Sequence, residues 1–424
     1  MDRRWRDYGR APPAVSYLGR AVPPRKHCLG IWPRSDEKLS FHRCCLERKT
    51  GRCLMSVTTQ ETTSQQAGEQ FFSSILARVA EGQALSAAEA EAAFGVIMDG
   101  LIAPERIAAF LMALRVRGET QEELLGGVTA LRARMHSVPA MPADTIDVCG
   151  TGGDNYGTLN VSTAVAFVLG ALGVPVAKHG NRAISSRSGA SDVLAALSVP
   201  LSAQAEVLAE QMQAHKAIFL SAPHHHPAMR FAAPVRKALG VRTLFNLMGP
   251  LVNPAGVKRQ LVGVFSPAWL EPMVNVLKNL GSQKVWAVCG LPSDGQGGID
   301  EITLAGPTQV VALEDGAICP FSITPEMAGL AHAPVSAILG GDAQYNAQAL
   351  EALLHGAPGA YRDTVVLNAA CALHVAGRVT LLRDGRIDPQ ALRESVVQAA
   401  RPLDDGTALA VLNGLRASAP DARA

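Results

Sequence analysis

A glycine-rich loop is the segment of this sequence best suited to hold a phosphate group. Gly150 to Asp154 directly follow a short apolar run, and Asn160 to Thr163 open an apolar helical stretch. Glycines let bare backbone N–H groups approach an anion, and the N-terminus of the next helix favours negative charge. The spacing is neither that of a Walker loop nor GxGxxG. Gly-rich turns are often only structural, but the Asn-Val-Ser-Thr helix start favours an anion cradle.

A second polar segment places cations, hydroxyls and glycines at the end of the next strand candidate. Lys178 to Arg182 end that strand, and Ser185 to Gly189 precede an Ala-rich stretch. The carboxyl ends of strands in an open α/β sheet face one ligand crevice, so this segment and the loop at Gly150 would meet at a single anion. Charge runs usually belong to a solvated face, yet Gly and Asn at a strand end favour binding here.

Two adjacent carboxylates are candidates for holding a metal ion. Asp300 and Glu301 lie between Gly-rich Ser293 to Gly298 and apolar Ile302 to Leu304. Carboxylate pairs on loops are commonly just exposed, and their other use is to hold Mg²⁺ through oxygen ligands and retained waters. Beside an anion cradle the second use is favoured, because a dianionic leaving group needs its charge neutralised.

Three histidines and an arginine indicate a pocket rather than a zinc site. His224 to His226 precede Pro227, and Arg236 follows on a short helical run. Three consecutive histidines cannot easily ligate one metal, and no Cys or HExxH companion accompanies them, so we expect no zinc. The planar guanidinium of Arg236 is suited to pair with a carboxylate.

The elements that must position these residues follow two patterns. From residue 69 to 136 the apolar period is helical, and Ser86 with Glu89 and Thr120 with Glu123 have the capping-box spacing, which together predict four helices. Beyond Pro142, short apolar runs alternate with Gly-rich turns and Ala-rich helices, which predicts βα units. The strand candidates are Thr145 to Cys149, Val174 to Lys178, Ala217 to Ser221, Gln260 to Phe265 and Val285 to Cys289.

The predicted fold is therefore α/β. It has a small all-helical N-terminal domain at 69–138 and a large domain at 143–418, whose mostly parallel central sheet is covered by helices. Residues 55–68 are expected to form a flexible segment. Residues 1–54 are basic and rich in cysteine, and they lack the apolar core of a signal peptide, so we expect a disordered leader. A start codon set too early, with Met55 as the native start, is the preferred explanation, and a targeting segment or a genuine extension is the alternative.

Composition excludes several classes of protein. The 424 residues are 48% hydrophobic with a formal net charge of +2, so no global field would attract nucleic acid or a membrane surface. No apolar run reaches the roughly 18 residues that a membrane helix needs. The cysteines beyond the leader show no CxxC spacing, which favours a reducing compartment. We expect a soluble cytoplasmic protein that binds neither nucleic acid nor membranes.

Taken together, these motifs closely resemble those of the anthranilate phosphoribosyltransferases of tryptophan biosynthesis. The likeness runs from about residue 70 to about residue 415 and leaves the leader unmatched. The matching segments are GTGGD at 150–154, NVST at 160–163, KHGNR at 178–182, RTLFNLMGPLVNP at 242–254, IDEITL at 299–304, GGDAQYNA at 340–347 and LNAACALHVAG at 367–377. Several long motifs in the same order argue against chance agreement.

The resemblance implies a Mg²⁺-dependent glycosyltransferase reaction. The 5-phosphoribosyl group of phosphoribosyl pyrophosphate would pass to the amine of anthranilate, giving N-(5-phosphoribosyl)anthranilate and pyrophosphate, the second step of tryptophan biosynthesis from chorismate. A homodimer is implied as well, with helices near 227–245 returning to the helical domain. The expected catalytic residues are Lys178, His179, Asn181 and Arg236, none of them as an obligatory nucleophile, and His179 is a weak candidate for handling the amine proton.

Binding residues carry over by matching position. The donor is expected to contact Gly150, Gly153, Asp154, Thr158, Asn160, Val161, Ser162, Thr163, Lys178, His179, Gly180, Asn181, Arg182, Ala183, Ile184, Ser185, Ser186 and Ala190. Anthranilate is expected to contact Gly150, His179, Asn181, His226, Arg236 and Gly249. Two Mg²⁺ ions are expected at Ser162, Asp300 and Glu301. Ala190 departs from the Ser or Gly of many relatives, which puts one hydroxyl contact to the donor in doubt.

Two other functions remain as alternatives. A pyrimidine nucleoside phosphorylase would share the fold class and also act at the ribose anomeric carbon, but its KHSTGGVGD-like loop is absent. A non-catalytic relative that binds nucleic acid would be expected to gain basic surface and lose the metal carboxylates. The chain beyond the leader is mildly acidic and keeps Asp300 and Glu301.

Overall fold

Four helices open the part of the chain that the structure describes. The computed structural model describes residues 53–138, 141–182, 187–293, 295 and 297–418. Of the expected leader, only Cys53 and Leu54 lie within these residues. Residues 183–186 of the expected donor site lie outside them. The first helices are α1 (Cys53–Ala80), α2 (Ala87–Met98), α3 (Pro104–Arg117) and α4 (Gln121–Arg132).

Both predicted capping boxes are confirmed. The Ser86 hydroxyl accepts a hydrogen bond from the backbone N–H of Glu89, and the Glu89 carboxylate accepts one from the N–H of Ser86. Thr120 and Glu123 make the same reciprocal pair at the start of α4. Each box satisfies backbone donors that have no partner within the helix, which fixes where the helix begins.

Helix α1 is longer than the sequence pattern suggested. Its backbone is helical from Cys53 onward, so residues 55–68 are helical where we expected a flexible segment. No proline occurs in α1, and Gly68 is its only glycine. A polar Ser/Thr/Gln stretch lowers helix propensity only slightly, so nothing in it forces the helix to end.

The central sheet has seven strands in the order β3-β2-β1-β4-β5-β6-β7. The first five are parallel to one another, and β6 and β7 pair antiparallel at one edge. Chain order reverses between β1 and β4, the topological switch point where open sheets bind ligands. The strands are β1 (Ile146–Gly150), β2 (Val176–Gly180), β3 (Ala217–Ser221), β4 (Arg259–Gly263), β5 (Lys284–Gly290), β6 (Thr308–Glu314) and β7 (Ala317–Ile323).

All five predicted strands are confirmed, and the antiparallel hairpin was missed. Asp315 and Gly316 connect β6 to β7 with φ of 49° and 81°, the left-handed pair that a tight hairpin turn requires. The Asp-Gly dipeptide between two largely apolar runs was the available signal. The same signal marks a small two-stranded sheet, β8 (Leu382–Arg383) and β9 (Arg386–Ile387), around Asp384 and Gly385.

Further helices follow along the chain, and several of them pack against the sheet. They are α5 (Val161–Ala171), α6 (Ala190–Ala196), α7 (Ala205–His215), α8 (Ala222–His225), α9 (Ala233–Leu239), α10 (Phe245–Met248), α11 (Leu270–Asn279), α12 (Ala343–Leu354), α13 (Ala360–Val375), α14 (Pro389–Asp404) and α15 (Thr407–Ala417). Helix α13 is buried along its central turns, as expected of a helix enclosed on all sides. Within the described ranges, no helix has the length and apolar character needed to cross a membrane.

The segment from 227 to 248 packs with the N-terminal helices. Val235, Leu244 and Phe245 belong to the same buried apolar cluster as Phe94 of α2. The rings of Phe94 and Phe245 meet edge to face with centroids 5.5 Å apart. Two segments more than 100 residues apart in the chain therefore share one core, and the cavity described below opens beside it.

Candidate active site

The acidic pair lies against the ends of the two strands at the switch point. Gly150 ends β1 and Gly263 ends β4, and the two are register partners. A Cβ at Gly263 would fall 1.5 Å from the carbonyl oxygen of Asp300, and one at Gly150 would fall 2.2 Å from its Oδ2. Only glycine permits this approach. The two strand ends are therefore shaped around Asp300.

The glycine-rich loop after β1 is held open by left-handed backbone. Gly152, Gly153 and Gly157 have φ of 67°, 75° and 65°, and Asn155 has φ of 66°. The N–H of Gly152 donates to Asp300 Oδ2 at 2.6 Å. Glycines of this kind leave the loop backbone uncovered by side chains, which suits the close approach of an anion.

The segment at 338–346 binds the far end of this loop through hydrogen bonds. The N–H of Gly340 donates to the carbonyl of Gly157 at 2.8 Å, and Leu159 N–H donates to the carbonyl of Ile338 at 2.9 Å. The Asn346 side chain donates to Oδ1 of Asn160 at 3.0 Å. The motif at 340–347 therefore positions the start of α5.

Lys178 is a buried cation beneath the loop. It is only 3% exposed, and its ammonium donates to the carbonyl of Val148 at 2.8 Å and to Ser162 Oγ at 3.0 Å. A buried ammonium needs partners, and the hydroxyl of Ser162 is its side-chain partner at the start of α5. The positive charge is thus fixed where β1, β2 and α5 meet.

Three buried carboxylates, those of Asp154, Asp300 and Glu301, interact with one another beside the glycine-rich loop. Burial, with the charge of Asp300 second, raises the pKa of Asp154 and that of Glu301 to about 8. Burial also raises the pKa of Asp300. Among the described residues, Asp154 Oδ2 is buried without a hydrogen-bond donor. Uncompensated buried carboxylates of this kind fit a bound divalent cation.

The donor set fits Mg²⁺ better than a transition metal. Within the described ranges, no three Asp, Glu, His or Cys side chains converge as a metal cage. Glu301 Oε1 accepts the N–H of Ser162 at 3.2 Å, so the acidic pair faces the start of α5 rather than a neighbouring histidine. Mg²⁺ is ordinarily held by one or two carboxylates, waters and substrate phosphates.

His179 and His226 form a neutral hydrogen-bonded pair. Their Nε2 atoms are 3.2 Å apart, and His179 Nδ1 is 3.0 Å from the carbonyl of Gly249. A carbonyl only accepts, so His179 carries its proton on Nδ1 and its Nε2 accepts from His226. Burial lowers the pKa of His179 to about 3 and that of His226 to about 4. The lone pair that a base would need is thus already engaged.

The carboxylate of Asp147 holds the backbone of His179 in place. It is completely buried, and its carboxylate accepts the N–H of His179 at 3.1 Å and the side-chain amide of Asn253 at 2.7 Å. Asn253 also donates to the carbonyl of Ala177 at 2.8 Å. These contacts fix the end of β2, and nothing in the sequence patterns had pointed to Asp147 or Asn253 individually.

Arg236 contributes a further cation to the site. Its guanidinium carbon lies 5.4 Å from the ring centroid of Phe245, and burial lowers its pKa to about 10. Within the described part of the chain, no carboxylate forms a salt bridge with it. A half-buried guanidinium without a protein counter-ion is suited to pair with an anionic ligand.

These elements surround one cavity of about 1150 Å³. Every expected site residue that the structure describes lines this cavity. These residues are Gly150, Gly153, Asp154, Thr158, Asn160, Val161, Ser162, Thr163, Lys178, His179, Gly180, Asn181, Arg182, Ala190, His226, Arg236, Gly249, Asp300 and Glu301. The two polar loops and the acidic pair thus converge as expected. Ala183 to Ser186 lie outside the described residues.

Comparison with known proteins gives the family. Residues 142–409 match the glycosyl transferase family, a/b domain, and residues 73–135 match the helical bundle domain of the same family. The anthranilate phosphoribosyltransferase of Gluconobacter oxydans (strain 621H) is 58% identical over 348 residues, covering 82% of this chain and 95% of the relative. The chain belongs to the anthranilate phosphoribosyltransferase family. The anthranilate phosphoribosyltransferase of Rhodopseudomonas palustris (strain BisB18) is 52% identical over 344 residues, covering 81% of this chain and 97% of the relative.

Solved structures of anthranilate phosphoribosyltransferases share the fold. The enzyme from Thermus thermophilus has a TM-score of 0.71 and 38% identity, covering 81% of this chain and 98% of that one. The Saccharomyces cerevisiae enzyme in complex with PRPP and Mg has a TM-score of 0.69 and 26% identity, covering 79% and 93%. The small helical domain and the large α/β domain with its mostly parallel sheet are those of this family.

Several cavity residues of this family member were missed from the sequence. Phe245 and Asn246 line the cavity and lie within the 242–254 motif, in which the sequence predicted a site role for Gly249 only. Met229 and Arg230 also line the cavity. They follow the three histidines on a short 3₁₀ turn, and no local pattern distinguishes them from ordinary surface residues.

Proposed function

We propose that this chain catalyses the Mg²⁺-dependent transfer of 5-phosphoribosyl from phosphoribosyl pyrophosphate to the amine of anthranilate, with pyrophosphate as the second product. One observation carries the proposal: a single cavity holds an anion loop, a carboxylate cluster that favours a cation, and a separate guanidinium without a protein counter-ion. The first two suit a metal-bound diphosphate, and the third suits an aromatic acid.

The donor would occupy the side of the cavity formed by the two polar loops. Its diphosphate would meet the Gly150 to Asp154 loop, in which the Gly152 N–H already donates to Asp300, and the start of α5, with Lys178 beneath. Lys178 is already buried, so water would screen its charge little when the leaving group develops negative charge. Residues 178–186 and Ala190 would complete the donor site.

Two Mg²⁺ ions would be held by Ser162, Asp300 and Glu301. When bound, Mg²⁺ supplies charge neutralisation of the departing diphosphate. The chain contributes a geometry in which Asp300 and Glu301 are both tied to loop backbone, by Gly152 and Ser162. These bonds orient the carboxylates before substrate arrives, which reduces the reorganisation needed during the reaction.

The acceptor would lie between Arg236 and the histidine pair. Arg236 would bind the anthranilate carboxylate as a planar fork. Gly150, His179, Asn181, His226 and Gly249 would surround the ring and amine, and a Cβ at Gly249 would meet nothing within 4 Å, so this wall is open to a ligand. The neutral histidines would supply no positive charge, so the substrate carboxylate would be met by Arg236.

The chemistry asks mainly for positioning. The aryl amine attacks the ribose anomeric carbon as the bond to pyrophosphate breaks, through a transition state with oxocarbenium character. Bringing the two substrates together in one cavity and stabilising the leaving group account for the rate increase. Lys178 would act on the diphosphate through its charge, and Arg236 would orient anthranilate through its carboxylate. Asn181 and His179 would contact the ring and amine of anthranilate. His179 would take the amine proton only if His226 released its Nε2.

The pathway step, the compartment and the oligomeric state belong to the same proposal. We place this reaction as the second step of tryptophan biosynthesis from chorismate, in the cytoplasm, by a homodimer whose protomers divide into domains at 69–138 and 143–418. The family matches at 73–135 and 142–409 support the division. Light scattering after size-exclusion chromatography tests the dimer.

One assay decides the function. Purified protein is mixed with anthranilate, phosphoribosyl pyrophosphate and Mg²⁺, and the loss of anthranilate fluorescence is followed. We expect loss that stops when the donor is omitted or Mg²⁺ is chelated. No loss with anthranilate, together with phosphorolysis of a pyrimidine nucleoside, would support the phosphorylase alternative instead. Retention of nucleic acid without either activity would support the non-catalytic alternative.

A further inference from the structure

Helix α13 places one buried polar side chain beside the acidic pair. Asn368 is 1% exposed, and its amide makes three hydrogen bonds. Its Oδ1 accepts the N–H of Ile302 at 3.1 Å, and its Nδ2 donates to the carbonyl of Ile302 at 2.7 Å and to that of Thr364 at 2.9 Å. One side chain thus satisfies both backbone groups of Ile302.

Ile302 lies outside the strands of the sheet. The nearest regular pairing is the isolated bridge between Ile299 and Gly290, three residues earlier. A buried backbone N–H and carbonyl must find partners, and here a side-chain amide takes the place of a neighbouring strand. Asn is suited to this because its side chain carries both a donor and an acceptor.

Ile302 directly follows Asp300 and Glu301. Asn368 and Glu301 also line the same small internal void beside Ser162. The acidic pair is thus fixed from two directions, by loop N–H groups on the cavity side and by Asn368 on the core side. Asn368 itself does not line the main cavity, so a change there would reach Glu301 only through Ile302.

We propose that Asn368 is a positioning residue for the metal-holding pair Asp300 and Glu301. The inference rests on the proposed function, because the pair holds Mg²⁺ only if that function is right. Groups behind metal ligands commonly change metal affinity about tenfold to a hundredfold when they are removed. We expect an effect of that size.

The test compares two variants with a control that contacts the same helix. Asn368→Asp keeps the shape but loses the donor, and Asn368→Ser removes both interactions and leaves room for water. Ser395→Ala is the control, since the Ser395 hydroxyl of α14 donates to the carbonyl of Ala370 on α13 at 3.0 Å and is buried like Asn368. If Asn368→Asp does not fold, Asn368→Ser carries the comparison.

Two measurements are made besides activity. Deuterium exchange of a peptide spanning 299–304 in the ligand-free protein should be faster in the Asn368 variants than in Ser395→Ala. Binding of Mn²⁺ in the presence of pyrophosphate, followed by electron paramagnetic resonance, should weaken about tenfold to a hundredfold in the variants and stay unchanged in the control. The KM for anthranilate should not change.

The outcomes separate the two proposals. Unaltered exchange and Mn²⁺ binding in Asn368→Ser, with normal binding by the unaltered protein, would overturn the positioning role alone. A loss of thermal stability shared with Ser395→Ala and without weaker Mn²⁺ binding would also overturn it, since it would show an ordinary structural role. Failure of the unaltered protein to bind Mn²⁺ with pyrophosphate would overturn the proposed function and this inference together.

Discussion

The backbone N–H of Gly152 donates a 2.6 Å hydrogen bond to Oδ2 of Asp300. This bond joins the anion loop to the acidic pair across the end of the sheet, so that the groups suited to a diphosphate and those suited to a metal form one unit. Asp300 can lie there only because Gly150 and Gly263 lack side chains. The strand ends are thus as much a part of the site as the charged residues.

Gly263→Ala tests this close approach. The new Cβ would fall 1.5 Å from the Asp300 carbonyl, so the strand or the acidic segment must move. We expect at least about 1–3 kcal/mol lower unfolding free energy and a higher KM for the donor. Denaturant unfolding and steady-state kinetics measure both.

Gly249→Ala is the matched comparison for that substitution. A Cβ there meets nothing within 4 Å, and its φ of −47° suits any residue. Stability should therefore hold while the anthranilate KM rises. Equal stability loss in the two variants would contradict this interpretation.

Arg236→Ala tests the acceptor site. Removing the fork that pairs with the carboxylate should raise the anthranilate KM about tenfold to a hundredfold, with the donor KM nearly unchanged. Lys237→Ala, at the exposed neighbouring position, is the control and should resemble the unaltered enzyme. An unchanged anthranilate KM in Arg236→Ala would remove this residue from the acceptor site.

Replacing Asp300 with Asn and Glu301 with Gln together tests the metal site. The neutral amides keep the size of the side chains but lose the charge that attracts Mg²⁺. Activity should disappear even at high Mg²⁺, and the thermal stabilisation by Mg²⁺ with pyrophosphate should disappear with it. Glu271→Gln, an exposed change on α11, serves as control. Normal turnover in the double variant would place the metal elsewhere.

The histidine pair predicts how stability depends on pH. His179 and His226 have folded pKa values near 3 and 4, against an ordinary value of 6.5. At these two sites the unfolded chain therefore binds protons more readily, so the contribution of the histidine pair to stability is complete above pH 6.5 and falls as the pH drops toward 4. The fall should approach about 1.4 kcal/mol per pH unit for each group.

His226→Gln should make that fall shallower, because one titrating group is gone. Urea unfolding at about pH 7.5, 6 and 5, on both sides of the ordinary histidine pKa, measures the slope. His332→Gln, at an exposed position, should keep the slope of the unaltered protein. A slope in His226→Gln equal to that of the unaltered protein would show that the buried pair is not responsible for the loss of stability in acid.

The sequence by itself determined the local features. The capping boxes at Ser86 and Thr120 and the five parallel strands depend on residues within a few positions of one another, so local pattern is enough to predict them. The anion loop and the acidic pair were likewise visible as types and spacings. The hairpin of β6 and β7 was missed although its Asp315-Gly316 turn is also a local signal.

Only the tertiary structure decided which groups are free to act. His226 engages Nε2 of His179 from 47 residues away, Asn253 anchors Asp147 from 106 away, and Asn368 secures Ile302 from 66 away. Such contacts depend on strand order and on how each helix packs back onto the sheet. Spacing along the chain carries no information about those distances, because the crossovers between strands bring remote residues together through the packing of the whole core.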